Sequence, residues 1–128
     1  MKKPIVGINP YYYEHNGAMW NATKEYYYES IWDASGIAFT LNYPKDNTAI
    51  SEIADIIDAL LLVGGPDIPN ELYNGEFPEL LDSDVMTAER EIFDRNIFSE
   101  MFKLNKPILA ICVGMQHINV IRGGSLFE

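Results

Sequence analysis

Thiol and imidazole chemistry is scarce in this sequence. Its 128 residues include one cysteine, Cys112, and two histidines, His15 and His117. A single cysteine excludes an intrachain disulfide and any zinc site built from cysteines. Positive charge is sparse too. Nine Lys and Arg stand against nineteen Asp and Glu, a formal net charge of −10. Repulsion from phosphates at that charge argues against nucleic acid and anionic membrane surfaces as partners. No apolar run approaches the roughly 18 residues that a membrane-spanning helix needs. Lys2 and Lys3 precede a short apolar run without a small-residue cleavage site, which predicts no signal peptide and a cytoplasmic protein. Repeats, low-complexity tracts and linkers are missing. No Asp/Glu/His set has metal-ligand spacing, so no metal is implied, and no cofactor either. Gly64-Gly65 and Gly123-Gly124 match neither the P-loop nor the G-x-G-x-x-G pattern.

What is present is a globular composition, 48% hydrophobic and 22% charged, sized for one domain over residues 1–128. Residues 4–8, 37–41, 58–63 and 108–111 read as short apolar strands of the kind buried in a parallel sheet. Helices are expected over 23–35, over 49–55 with Thr48 as cap, over 85–104 and over 113–122. Residues 10–22 read as a loop, because Pro10, Asn16 and Gly17 break any period. Tyr11, Tyr12 and Tyr13 are expected to pack that loop against the sheet. The helix over 85–104 carries Ile92, Phe93, Ile97, Met101 and Leu104 as an apolar stripe, with Glu89 and Glu91 near its start. Met115, Ile118 and Ile121 are expected on one side of the last helix. Asp55, Asp58, Glu79, Asp82 and Asp84 read as solvated surface charge. Alternating strands and helices predict an α/β fold, a flavodoxin-like three-layer sandwich with a mainly parallel sheet. In such sheets the ligand crevice lies beyond the carboxyl ends of the strands, where Gly64-Gly65 and Cys112 fall.

The most informative segment is Leu109-Ala110-Ile111-Cys112-Val113-Gly114-Met115-Gln116. An apolar strand delivers Cys112 into a turn and a helix starts at once. This is the nucleophile-elbow pattern, with small residues, Ala110 and Gly114, two positions either side. The helix N-terminus favours a thiolate at Cys112. The Val113 N–H can donate to an oxyanion, and Gly65 on the neighbouring strand can supply a second donor. The competing reading is a buried cysteine that merely ends a strand.

The chain resembles the N-terminal half of the class I glutamine amidotransferase-like superfamily. Within it, the likeness is to the gamma-glutamyl-gamma-aminobutyrate hydrolase group, the C26 peptidases. The likeness rests on Pro4-Ile5-Val6-Gly7-Ile8, on Leu60 to Ile68 with Tyr73, on Glu89-Arg90-Glu91, and on Ile111 to Gln116 with Asn119-Val120 and Gly123 to Leu126. It implies that Cys112 is the nucleophile attacking a gamma-glutamyl amide or glutamine. It implies that Gly65 and Val113 are oxyanion donors, and that Gly64 and Gln116 border the glutamyl pocket. An arginine commonly follows the cysteine in the hydrolase group. Val113 stands there instead, keeping the backbone donor without the side chain.

The resemblance also implies a histidine base, oriented by a carboxylate, on a segment beyond Glu128, with further strands and helices. The expectation is therefore a C-terminally incomplete sandwich with exposed sheet edge. A truncated frame, a split protein completed by a second chain, and a homodimer would each account for it. His117, five residues after Cys112, is expected to point away or line a wall, and His15 to be solvated. Two rival functions stay open: a glutaminase half that supplies ammonia to a synthase partner, and an inactive remnant or interaction module.

Overall fold

The computed structural model describes residues 1–128. Four parallel strands form the central sheet: β1 (Ile5–Ile8), β4 (Ile37–Thr40), β5 (Ala59–Leu62) and β6 (Ile108–Ala110). Their spatial order is β4-β1-β5-β6. Successive strand residues point to opposite faces, which sorts the core into two layers. Leu60 and Leu62 enter a ten-residue cluster with Phe93, Ile97 and Met101 on the side of α2 (Ala49–Ile56), α3 (Ala88–Lys103) and α4 (Val113–Ile121). Ile8, Leu61 and Val63 form a smaller cluster on the other face, covered by Tyr27, Tyr28 and Ile31 of α1 (Glu25–Asp33). The result is the α/β three-layer arrangement that the strand and helix alternation predicts. On the α1 side of edge strand β6, Leu109 is 64% exposed and Ile111 37%. No helix is long and apolar enough to cross a membrane.

Several local readings need correction. Residues 11–22 are not a loop but an antiparallel hairpin, β2 (Tyr11–His15) and β3 (Ala18–Ala22). Asn16 and Gly17, read above as breakers, form its two-residue turn. Their φ values of 51° and 78° suit a type I′ turn, which needs positive φ at both positions. Tyr12 stacks edge-on against Tyr43 with ring centroids 4.8 Å apart, which ties the hairpin to the body.

Thr48 does not cap α2. It is already helical, and Asp46 accepts its N–H at 2.9 Å. The other end of α2 is closed by Lys106, whose Nζ donates to the carbonyls of Ala54, Asp55 and Ile57 at 2.6, 3.0 and 2.8 Å. A cation there also meets the negative end of the helix dipole. Asp58 is more than solvated charge. It accepts the Ile5 N–H at 2.8 Å, joining the start of β1 to β5.

Helix α3 begins at Ala88 because Thr87 caps it, accepting from the Arg90 N–H at 3.3 Å. Phe93, Ile97 and Met101 are buried as the stripe predicts, but Ile92 and Leu104 are exposed. Arg90, Glu91 and Asp94 take part of the inward face instead. Charged groups are tolerated there because they bond one another and nearby backbone. On α4, Met115 turns outward and His117 inward.

Candidate active site

The site lies at the carboxyl ends of β5 and β6. Beyond Leu62, β5 continues through Val63, Gly64 and Gly65. Side chains from three elements hold this extension. The Val63 N–H donates to Asn9 Oδ1 at 2.7 Å. Arg90 Nη2 donates to both the Val63 and Gly64 carbonyls, at 2.9 and 3.1 Å. Tyr27 Oη accepts weakly from the Gly64 N–H at 3.4 Å. Arg90 is itself anchored, with Nε donating to Asp94 Oδ2 at 3.2 Å. The same oxygen accepts from Asn9 Nδ2 at 2.8 Å, closing the network. Burial pushes the Asp94 carboxyl up to about 6, although Arg90 and Asn9 both pull it down.

Gly65 is required where it stands. A Cβ there would lie 2.1 Å from Arg90 Nη1, and its φ of 153° disfavours a side chain. At Gly64 an added Cβ would make only ordinary contacts, 3.5 Å to Tyr27 Oη and 3.6 Å to the Cys112 Cβ. Gly64, Tyr27 and Cys112 therefore converge on one spot.

Strand β6 arrives beside β5, with the Ile111 N–H donating to Leu62 O at 2.9 Å. The chain then reverses at Cys112, whose φ of 52° and ψ of −116° lie outside the regions an L-residue prefers. Such a conformation costs of order 1–3 kcal/mol and persists only where the surroundings enforce it. Gly114 permits it here. Its Cβ position would meet Leu62 O at 2.7 Å, so only glycine lets α4 begin this close to β5. Cys112 is exposed and sits at the N-terminal end of α4. Val113 is buried against Ile68, Tyr73 and Met86, which fixes the first turn. Gln116 is half-buried one turn further on.

Neither the Gly65 nor the Val113 N–H donates to an acceptor within the chain. The Val113 amide directly follows Cys112, and the Gly65 amide follows Gly64, whose Cβ position lies 3.6 Å from the Cys112 Cβ. An open groove of about 1080 Å³ begins at Gly65 and runs past Pro66, Thr87 and Arg90 to Tyr11 and Lys24 under the hairpin. Cys112 lies outside its wall.

Neither histidine pairs with Cys112. His117 is 1% exposed, with Nε2 3.2 Å from Glu91 Oε1. Burial pushes its pKa down against the pull of Glu91, so the ring is neutral at pH 7 and donates from Nε2 to the carboxylate. Through His117 Glu91 ties α3 to α4, and it also accepts from Arg95 of its own helix at 2.7 Å, so it is more than a dipole charge. His15 sits at the hairpin turn beside Asn16 and Trp20.

Sequence reasoning brought Cys112, Gly64, Gly65 and Val113 to one place, and the structure does the same. It missed Asn9, Tyr27 and Asp94, and quoted Arg90 only within Glu89-Arg90-Glu91 without a role at the site. Arg90 and Asp94 carried one signal: opposite charges four apart on the face of a helix that is otherwise apolar.

A family model, peptidase C26, matches residues 4–128. Protein NtpR of Enterococcus hirae is 38% identical over 107 residues, covering 83% of this chain and 43% of that protein. RP404 of Rickettsia prowazekii, named as glutamine amidotransferase-like, is 31% identical over 134 residues, 99% of this chain and 46% of its own length. The gamma-glutamyl-gamma-aminobutyrate hydrolase PuuD of Escherichia coli K12 is 27% identical over 130 residues, 98% of this chain and 49% of its own. The chain thus spans about half the length of the curated relatives it matches. The chain belongs to the peptidase C26 family.

Proposed function

We propose that this chain carries the nucleophile and oxyanion donors of a gamma-glutamyl amide hydrolase. The Cys112 thiolate attacks the side-chain carbonyl of a gamma-glutamyl amide. A C–S bond forms, and the carbonyl oxygen takes negative charge between the Gly65 and Val113 N–H groups. The C–N bond then breaks, the amine leaves with a proton, and water hydrolyses the thioester to glutamate and the free thiol. Gly64 and Gln116 border the glutamyl group. The observation that carries this reading is a cysteine held at φ 52° between a strand and a helix, followed by the unengaged Val113 amide and close to Gly64, which precedes the unengaged Gly65 amide.

The general base comes from residues outside these 128, because His117 is committed to Glu91 and His15 to the hairpin turn. A second chain or further residues of a longer protein would bring it. The name of RP404, glutamine amidotransferase-like, supports glutamine as the substrate of a second reading, in which the ammonia released would pass to a synthase partner.

The test is intact-mass labelling at neutral pH with diazo-oxo-norleucine, a glutamine-mimicking electrophile, against iodoacetamide. Saturable labelling of Cys112 by the mimic, slowed by a gamma-glutamyl amide, is the expected result. Labelling no faster than that of an ordinary thiol would contradict it. Ammonia release that rises only on adding a synthase would select the second reading.

A further inference from the structure

The Gly64–Gly65 peptide is trans, so its C=O and N–H point in opposite directions. The Gly64 carbonyl is drawn toward α3 by Arg90 Nη2. The Gly65 N–H must therefore point away from α3, toward the exposed side of the crevice. The backbone polar groups of Val63 and Gly64 are all taken. Val63 N–H goes to Asn9, Val63 C=O to Arg90, and Gly64 N–H to Tyr27. Gly65 N–H is the donor left over.

We infer that Arg90, anchored by Asp94 and Asn9, is the positioning residue that holds the Gly64–Gly65 peptide in its oxyanion-donating orientation. The inference rests on the reading of Gly65 as an oxyanion donor. Three features carry it. One guanidinium nitrogen clamps two successive carbonyls, which fixes the peptide plane and not merely its position. Arg90 is 2% exposed and its Nε is held by a carboxylate that Asn9 also holds, so the clamp cannot swing. Its remaining nitrogen, Nη1, has no hydrogen-bond partner and lies against Gly65, where a side chain would collide with it. Arginine and glycine are thus fitted to each other.

Lysine cannot repeat this arrangement. Its single nitrogen cannot hold Asp94 from one atom and both carbonyls from another, as Nε and Nη2 of the rigid guanidinium do, so the peptide is left free to turn.

The test compares two rate constants for modification of Cys112, by diazo-oxo-norleucine and by iodoacetamide. Both need the thiolate, so their ratio cancels the ionised fraction. Both reagents carry a carbonyl, but only the mimic has a glutamyl group to hold its oxygen at the Gly65 N–H. The variants are Arg90→Lys and the double change Arg90→Met with Asp94→Leu, which removes both charges together and leaves no lone buried carboxylate. Circular dichroism and thermal unfolding identify the folded ones. If the double variant does not fold, Arg90→Lys decides alone.

The expected result is a fall in the ratio of about tenfold or more, with the iodoacetamide rate nearly unchanged, since loss of an oxyanion donor costs on the order of 10²–10³. Folded variants that keep the wild-type ratio would overturn the inference and leave Arg90 as packing. Equal falls in both rates would overturn it as well, pointing to general damage at the elbow. A wild-type chain with no preference for the mimic would overturn the oxyanion reading itself, and the inference with it.

Discussion

The end of β5 and the end of β6 meet at one crevice but are held there by different means. At β5, side chains distant in sequence grip the backbone: Asn9, Tyr27 and Arg90 take its polar groups one by one. At β6, backbone shape does the work. A strand, a residue at positive φ and a helix follow each other directly, and Gly114 lets the helix lie against Leu62. The first arrangement can be dismantled through a side chain without unfolding the strand. The second fails only when backbone geometry changes. The Gly65 amide thus depends on a polar network, and the Val113 amide on secondary structure.

That difference orders the expected effects. The largest is loss of the thiol itself. Cys112→Ala should abolish labelling and lower turnover of gamma-glutamyl substrates in any active assembly by on the order of 10³ or more. Stability should hold or rise, since a strained position loses no buried contact. Intact mass and a thermal melt read both.

Next is Gly114→Ala. Its Cβ would press on the Leu62 carbonyl at 2.7 Å, a backbone atom that cannot swing aside. Overpacking of this kind typically costs about 1–3 kcal/mol. Urea unfolding should show the loss, and Cys112 should label faster with iodoacetamide and without preference for the mimic as the turn loosens.

Gly64→Ala should separate the two ends. The new methyl makes only ordinary contacts, so unfolding should be nearly unchanged. It would sit between Tyr27 and Cys112, where a displacement of about 1 Å can cost on the order of 10² in rate. Labelling by the mimic should slow while iodoacetamide labelling holds.

The pH dependence should differ between the β5 network and the α3–α4 contact. Asp94 holds its proton up to about 6, above the usual 3.8. Between those values the native chain binds a proton that the unfolded chain has released. Stability from this group is therefore full below pH 3.8 and falls as pH rises through about 6. Protonation also weakens its hold on Arg90, so preference for the mimic should decline below about pH 6. His117 has the opposite sign. Its folded pKa is lowered from 6.5, so its contribution is present above 6.5 and is lost as pH falls through the folded value. Urea melts from pH 4 to 8 on Asp94→Asn and His117→Gln, each against wild type, separate the two. The smallest effect belongs to Tyr27→Phe. It removes one long hydrogen bond at 3.4 Å and should cost less than about 1 kcal/mol.

The sequence made the elbow legible because its signal is local: apolar strand, cysteine, glycine, helix. Strands β1, β4, β5 and β6 were legible for the same reason. The network at β5 was not, because its partners lie far apart in the chain. Arg90 reaches back 26 and 27 residues to Gly64 and Val63, and Asn9 reaches 85 residues to Asp94. No spacing rule joins residues at such separations. The hairpin was missed for another reason. Asn16-Gly17 is a turn signal as well as a breaker, and three consecutive tyrosines suit a strand.

The central claim is that Cys112 and the Gly65 and Val113 amides form a site for a gamma-glutamyl carbonyl. An activated gamma-glutamyl ester tests it most directly, because its leaving group needs no proton and so no general acid. Mass spectrometry after brief mixing should find one glutamyl group per chain, mapped to Cys112, released by hydroxylamine and absent from Cys112→Ser. Acylation spread over lysines, or none at all on Cys112, would contradict the account.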